Sequence, residues 1–342
     1  MNILGAPAGP RLLFDRVVSA SFLPLLEKSG LLTGLVRLAQ SRSDLLDVQL
    51  RKSPTGQSSA SLYVGLSAVL TVVEVNGRLR LNTHPTYADR DNWKEEWRSA
   101  RTAVEMTAEV DGVLAFAEDV ITAVRPAFTH SEGRVHAALC ADSFDAFSVL
   151  DREASMGFAD SLTRTDVWGE IRTRFLTSVL AGGEEPWRAK APTLGTGADL
   201  LAVDQLGRLL VIEVKPVTSG SSISWAAAQA SVYTTLFRLW IAQDPHQAVA
   251  TLNAMLAQRI QLGLCAPRGF AVGLPVQTVP VVAVGGRVKS AEVRRRFNDI
   301  QRAIVAGGSG GESLEVWEVE GNDRLVSIGG FSDLALRAER AR

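Results

Sequence analysis

The stretch Gly197-Ala198-Asp199-Leu200-Leu201-Ala202-Val203-Asp204-Gln205-Leu206-Gly207-Arg208-Leu209-Leu210-Val211-Ile212-Glu213-Val214-Lys215 decides how this chain is read. Two apolar runs, Asp199–Val203 and Arg208–Lys215, flank a short connection, the pattern of two strands joined by a tight loop. If Gln205-Leu206-Gly207 is that loop, Gly207 takes the left-handed position and Asp204, a turn residue, pairs with Arg208. Counting outward along both strands then sets Asp199 directly opposite Glu213 on one sheet face, with Lys215 pointing the same way two residues on. Unpaired charges in apolar strands cost on the order of several kcal/mol each, so the trio needs compensation. Two opposed carboxylates ask for a cation between them. Hard oxygen ligands with an open, hydrated side suit Mg²⁺, and a nearby ammonium can orient a water and offset charge growing on a phosphate. A register slip of one residue would send the carboxylates to opposite faces.

Downstream and upstream of this pair the chain reads as a compact α/β unit. Asp166 can cap a helix reaching about Leu180, with Val167, Ile171, Phe175 and Val179 on one stripe. Ser222 to Gln243 is a long helix, Val279–Val284 a buried strand, Ser290 to Val305 a helix and Leu314–Val319 a closing strand. Helices alternating with near-continuous apolar strands imply a central sheet covered on both faces. In the helix from Ser290, Val293, Phe297, Ile300 and Ile304 form the buried stripe, while Glu292–Arg296 and Arg295–Asp299 pair along the outside. Arg294-Arg295-Arg296 is therefore a solvated face rather than a nucleic-acid contact. Gly307-Gly308-Ser309-Gly310-Gly311 fits a Gly-x-Ser-x-Gly elbow in form only; it follows a helix and reads as a flexible loop. The tail after Ser332 reads as helical and charged.

The chain before about Phe158 mixes a helical start with a β-rich middle. Leu45 to Arg51 and Ser61 to Val75 carry strand-type residues around a polar loop, Lys52 to Ala60, and Asn76-Gly77 makes a two-residue hairpin turn into Arg78–Asn82. From Asn92 to about Val124 the pattern is helical, with Asp91 as a cap and Trp93 and Trp97 in the core; Val135 to Cys140 reads as one more strand. There is no internal repeat and no catalytic motif here. His84, His130, His136 and His246 lack metal-ligand spacing and read as structural or surface residues. The expected division is an accessory α+β domain over 1–158 and an α/β domain over 159–342.

Composition bounds the rest. The 342 residues allow about two domains, and 36 Lys+Arg against 37 Asp+Glu exclude a basic coat that would hold polyanions by bulk charge. Cys140 and Cys265 cannot build a disulfide framework or a four-thiolate zinc site. The start Met1-Asn2-Ile3-Leu4-Gly5-Ala6-Pro7 lacks the basic and apolar regions of a secretory signal, and no run reaches the roughly 18 apolar residues of a membrane span. A soluble protein of a reducing compartment, the cytoplasm, is expected.

The residues singled out at the start resemble the PD-(D/E)XK nuclease superfamily, whose pattern is an Asp, a variable strand–turn–strand, and then Glu-x-Lys. Here these are Asp199 and Glu213-Val214-Lys215, with Ala198 where a proline often stands. Gln229-Ala230-Ser231-Val232-Tyr233 on the following helix resembles the Gln-x-x-x-Tyr element of RecB-type members. The resemblance covers roughly Asp166 to Val319. It implies a restriction-endonuclease-like mixed central sheet flanked by helices, in the order helix–strand–strand–strand–helix–strand, preceded by the accessory domain. It implies that Asp199, Glu213 and the Val214 carbonyl hold Mg²⁺ or Mn²⁺, that Lys215 positions the attacking water, and that Gln229 and Tyr233 steady the strand or the metal shell. Glu170 is the best-placed helical Glu of the catalytic set. The implied activity is phosphodiester hydrolysis, in DNA first and RNA second, in a defence or repair setting. The accessory domain would serve target choice, partner docking or homodimerisation. The alternative is a nucleic-acid-binding or assembly module that keeps the fold without turnover.

Overall fold

The computed structural model describes residues 12–128, 132–142, 144–181, 194–308, 313–320 and 324–328. In chain order the first half holds β1 (Leu12–Leu13), α1 (Leu23–Leu26), α2 (Thr33–Ser41), β2 (Leu46–Lys52), β3 (Ser58–Val64), β4 (Ser67–Val75), β5 (Arg78–Asn82), α3 (Pro85–Ala88), α4 (Ala103–Thr107), α5 (Val110–Phe128) and α6 (Glu132–Cys140). The second half holds β6 (Phe147–Ser155), β7 (Gly157–Phe158), α7 (Ser161–Thr163), α8 (Gly169–Ala181), β8 (Gly197–Asp204), β9 (Leu209–Pro216), α9 (Gly220–Gln243), α10 (Pro245–Gln261), β10 (Thr278–Gly285), α11 (Ala291–Ala306), β11 (Glu315–Glu320) and β12 (Arg324–Ile328). Among the described residues no helix is long and apolar enough to cross a membrane.

Strands β2-β3-β4-β5 form an antiparallel meander. Asn76 and Gly77 both have positive φ (51° and 73°), which is the backbone a two-residue turn between β4 and β5 requires. The long apolar run Ser61 to Val75 is two strands, broken at Gly65-Leu66, where Gly65 has φ 55°. The helical pattern from Asn92 resolves into a short 3-10 turn (Glu95–Arg98), α4 and α5. Trp93 and Trp97 meet edge to face at 5.3 Å in the core that α5 and the meander share.

The second sheet has the order β12-β11-β10-β9-β8-β6 and is mixed. β10 runs parallel to β9 and β11, while β8 runs antiparallel to β9 and β6. The β8–β9 register, from Leu200 opposite Ile212 to Val203 opposite Leu209, is the one expected, with Gly207 left-handed at φ 73° and the Asp204 N–H on the Arg208 carbonyl at 3.2 Å. One further step of this register sets Asp199 against Glu213. Asp204 also caps the loop, its Oδ1 accepting from the Leu206 and Arg208 N–H groups. Two apolar layers cover the sheet: α8, α9, α10 and α11 contribute to one, and α6 to the other.

Several expectations need correction. Val135 to Cys140 is not a strand but the body of α6. Ala137 packs into the core under the meander while Val135, Ala138 and Leu139 pack on the second sheet, so the helix buries apolar residues on more than one side. A short apolar run of this kind has no periodicity by which to tell helix from strand. The helix expected from Asp166 begins earlier, at Ser161, capped by Asp160 with its Oδ1 accepting from the Thr163 N–H at 2.7 Å. The elements not anticipated include β6, α10 and β12. Because β6 joins the second sheet, the expected division at 158/159 does not coincide with the sheet's edge. From Asp166 on the order is α8–β8–β9–α9–α10–β10, with two strands before the long helix where three were expected; α6 and β6 come earlier, with β7, α7 and α8 between β6 and β8. The tail after Ser332 lies outside the described residues, as does most of Gly307 to Gly311. The Arg294-Arg295-Arg296 run lies on an outer face as expected, with Glu292–Arg296 at 2.7 Å and Arg295–Asp299 at 3.1 Å.

A buried ion pair ties the two sheets together. Arg259 of α10 reaches Asp47 of β2 at 3.2 Å and donates to the Val48 carbonyl at 3.0 Å, with both side chains almost fully enclosed. Removing one partner leaves the other charge uncompensated. Arg259→Met is therefore expected to destabilise the protein by about 3–5 kcal/mol in chemical denaturation, and the double variant Asp47→Asn/Arg259→Met by clearly less. An unaltered unfolding midpoint in Arg259→Met would rule out this tie.

Candidate functional site

At the end of the β8–β9 pair the sheet carries its charges. The Asp199 Oδ2 accepts the Val214 N–H at 2.7 Å, which aims the carboxylate at β9. Glu213 and Lys215 lie two apart on β9 and are hydrogen-bonded to each other, both enclosed at 3% and 7% exposure. The expected trio is thus assembled, but it has further members. Helix α6 brings Glu132 and His136, whose Nε2 lies 3.9 Å from Glu132 Oε1 and 4.0 Å from Asp199 Oδ1. One ligand atom from each of Glu132, His136 and Asp199 falls within 4.8 Å of the others. His136 is fully buried, and among the described residues neither ring nitrogen has a hydrogen-bond partner.

The electrostatics follow from enclosure. Burial, then the neighbouring Asp199 charge, raises the Glu213 carboxyl well above its ordinary range despite Lys215 beside it. Burial raises Asp199, with Lys215 and the Val214 N–H pulling the other way. Glu132 is raised by burial and by Asp199. Burial works to lower Lys215, but Glu213 and Asp199 outweigh it and the net shift is upward. His136 is pushed well below the imidazole norm by burial, and then by the cationic Arg152 and Lys215. The site therefore holds a neutral imidazole and three carboxyls that resist ionising together. This donor set could hold a metal ion, which would relieve the carboxylate repulsion and employ the His136 nitrogen.

The other expected residues divide. Tyr233 of α9 is buried, with Gln229 and the Gly195 backbone close enough to act on its hydroxyl, which is raised by burial and by the Glu213 and Asp199 charges. The pair thus borders the same site. Val214 enters through its N–H, held by Asp199. Glu170 is exposed in the first turn of α8, and the hydrogen bonds and ion pairs of the site do not include it; the helical Glu that does reach Asp199's surroundings is Glu132. His136, read as structural or surface, lies inside the site. The missed signal is Glu132-x-x-x-His136: on a helix these share a face, whereas in a strand starting at Val135 Glu132 falls outside the element.

Arg152 borders the site from β6. It lies over the Tyr63 ring at 4.4 Å and donates to the Gly65 carbonyl. The meander and the second sheet thus meet at the residue whose charge acts on His136 and Asp199. No family model, curated protein or solved structure matches this chain.

Two outcomes are expected. Mn²⁺ should raise the melting temperature, approaching about 2.7 kcal/mol of added stability at a hundredfold excess over its Kd. Asp199→Asn and His136→Gln should each lose most of that gain; an undiminished gain in both would place the metal elsewhere. In metal-free protein, the unfolded chain protonates His136 near ~6.5 while the folded state refuses the proton. This group's contribution is thus present above about pH 6.5 and is lost as pH falls, by up to ~1.4 kcal/mol per pH unit. His136→Gln should flatten that part of the stability profile between roughly pH 7 and 5.5; an identical slope would mean that the folded imidazole takes a proton freely.

Proposed function

We propose that this chain is a metal-dependent nuclease with a restriction-endonuclease-like core, hydrolysing phosphodiester bonds in DNA. The observation that carries the reading is the convergence on Asp199 of two independent elements, the Glu213-Val214-Lys215 strand and the Glu132–His136 helix face. A purely structural ion cluster has no use for three carboxyls whose ionisation burial opposes, nor for an imidazole with both nitrogens unpartnered. The order β8–β9–α9–α10–β10 around a mixed sheet supports the finer fold assignment.

In this reading Glu132, His136 and Asp199 hold the ion, with Glu213 adding charge beside it. The imidazole nitrogen among carboxylate oxygens makes Mn²⁺ a better fit than the all-oxygen set first expected for Mg²⁺. The bound ion would supply Lewis-acid polarisation of a phosphate oxygen and a lower pKa for water. The protein groups do the rest. Lys215, kept protonated by Glu213 and Asp199, orients the attacking water and offsets negative charge developing on the phosphate. Its Glu213 contact keeps the ammonium from wandering. Tyr233 and Gln229 border the groove and set the phosphate's position. Enclosure of Glu213 and Lys215 strengthens their interaction, while Asp199 and Glu132 keep an open side.

The test is a cleavage panel of linear, circular, single-stranded and RNA substrates with Mn²⁺, Mg²⁺ or EDTA. EDTA is expected to abolish cleavage. Lys215→Ala should keep nucleic-acid binding while turnover falls by a factor of about 100 or more, the scale of losing one transition-state contact. Binding without cleavage of any substrate in any metal would favour the non-catalytic module, and unchanged cleavage by Lys215→Ala would refute the mechanism.

A further inference from the structure

The meander carries a pocket of about 480 Å³ that the site described so far does not use. Among its lining residues are Tyr63, Asn82, His84, Thr86, Tyr87 and Glu153. His84 is exposed and Tyr87 half-buried, and their rings lie 5.9 Å apart with a 57° tilt, on and just before the short helix α3. The His84 Nδ1 is engaged by the Thr86 N–H, which fixes the ring. Asn82's backbone is paired in β5, and among the described residues its amide makes no hydrogen bond. Among the described residues no Lys or Arg lines the pocket. Its one carboxylate, Glu153, accepts from the Tyr63 hydroxyl at 2.9 Å and lies 3.7 Å from Arg51. Two aromatic rings, a free amide, hydroxyls and no cation suit an uncharged planar heterocycle with donors and acceptors on its edge, and do not suit a phosphate.

The position of the pocket chooses among such heterocycles. In the β6–β8 register Arg152 faces Leu200 and Ala154 faces Ala198; Glu153, left-handed at φ 50°, lies between them on the strand beside Asp199. Glu153's charge acts on Asp199. One residue of the pocket thus lies on the strand next to the one that carries Asp199, on which the cluster converges. We propose that this pocket takes a nucleobase of the same strand whose phosphate lies at the Asp199 cluster, Tyr87 and His84 supplying the stacking surface and Asn82 reading the base edge. The proposal rests on the nuclease reading for the strand's path. It gives the first module a specific task, holding one base out of the stack beside the scissile phosphate.

The experiment uses the full chain and single-stranded DNA oligonucleotides with one 2-aminopurine stepped along the sequence, in Mn²⁺, with Lys215→Ala to keep the strand intact. One position is expected to show altered fluorescence on binding. Tyr87→Ala and Asn82→Ala should each weaken binding by roughly 5- to 100-fold, the scale of one base on an aromatic ring, while Tyr87→Phe stays near the parent. In the wild-type chain an abasic residue at that position should slow cleavage, and in Tyr87→Ala it should add nothing. Metal-dependent cleavage with no responsive position, and no abasic effect, would overturn the pocket and leave the nuclease reading standing. A responsive position lost in both Tyr87→Ala and Asn82→Ala, without cleavage in any metal, would overturn the nuclease reading and keep the base pocket. No binding by any oligonucleotide would overturn both.

Discussion

From Val135 to Cys140 every residue of helix α6 is buried, and most of the architecture follows from that. Its apolar residues are divided between the core under the meander and the layer on the six-stranded sheet, so the two sheets share it as common packing. A close approach fixes its position. A Cβ on Gly133 would meet Gly65 Cα and Leu66 N at 3.1 Å, and a Cβ on Gly285 would strike Val135. With the helix pinned between the β3–β4 turn and the end of β10, its first turn has one place to go: the mouth of the β8–β9 pair. Glu132 and His136 are therefore placed by packing rather than by attraction to Asp199. That order of causes matters, because burial alone would drive like-charged groups apart or neutralise them.

The charges that packing forces together are then balanced locally. Lys215 answers Glu213, the Val214 N–H answers Asp199, and Arg152 stands beyond His136. These cations and donors do not complete the compensation, since burial still raises all three carboxyls. The residual imbalance has a direction: it favours an added positive charge over any further internal hydrogen bond. A site built only for stability would more readily replace such a group with apolar side chains, which are often neutral or stabilising in buried positions.

How much of this was legible in the sequence varies with the kind of signal. The β8–β9 register was readable because a glycine-ended loop and two short apolar runs leave one consistent pairing, and the Asn76-Gly77 turn was readable for the same reason. Helix α6 was not, because a buried element without an amphipathic stripe carries no period. That single misreading hid His136 and Glu132 and moved the start of the sheet past β6, whose Phe147–Ser155 sequence mixes Asp151, Arg152 and Glu153 into a strand. Those charges look like a loop until their partners, supplied by the meander and the N-terminal segment, are known: Arg16 for Asp151, and Tyr63 and Arg51 for Glu153. Glu170 was chosen because it precedes the strands on a helix, a criterion that Glu132 meets equally once α6 is recognised. Long-range compensation of this kind is a tertiary property and leaves no local pattern.

The same compensation argues against treating the meander as a detachable accessory. Arg152 is almost wholly enclosed, and its guanidinium is held by the Tyr63 ring and the Gly65 carbonyl while Arg51 donates to its backbone carbonyl at 2.6 Å. Every one of these partners belongs to β2, β3 or the turn after β3. Without them the guanidinium would be buried with little to hold it, next to the imidazole it now helps to keep neutral. A shift of the meander relative to β6 would therefore move the charge beside His136 and Asp199 before it altered any bond within the cluster. The first sheet thus acts on the chemistry of the second through one arginine, and the position of that arginine depends on a turn that also touches the N-terminal end of α6.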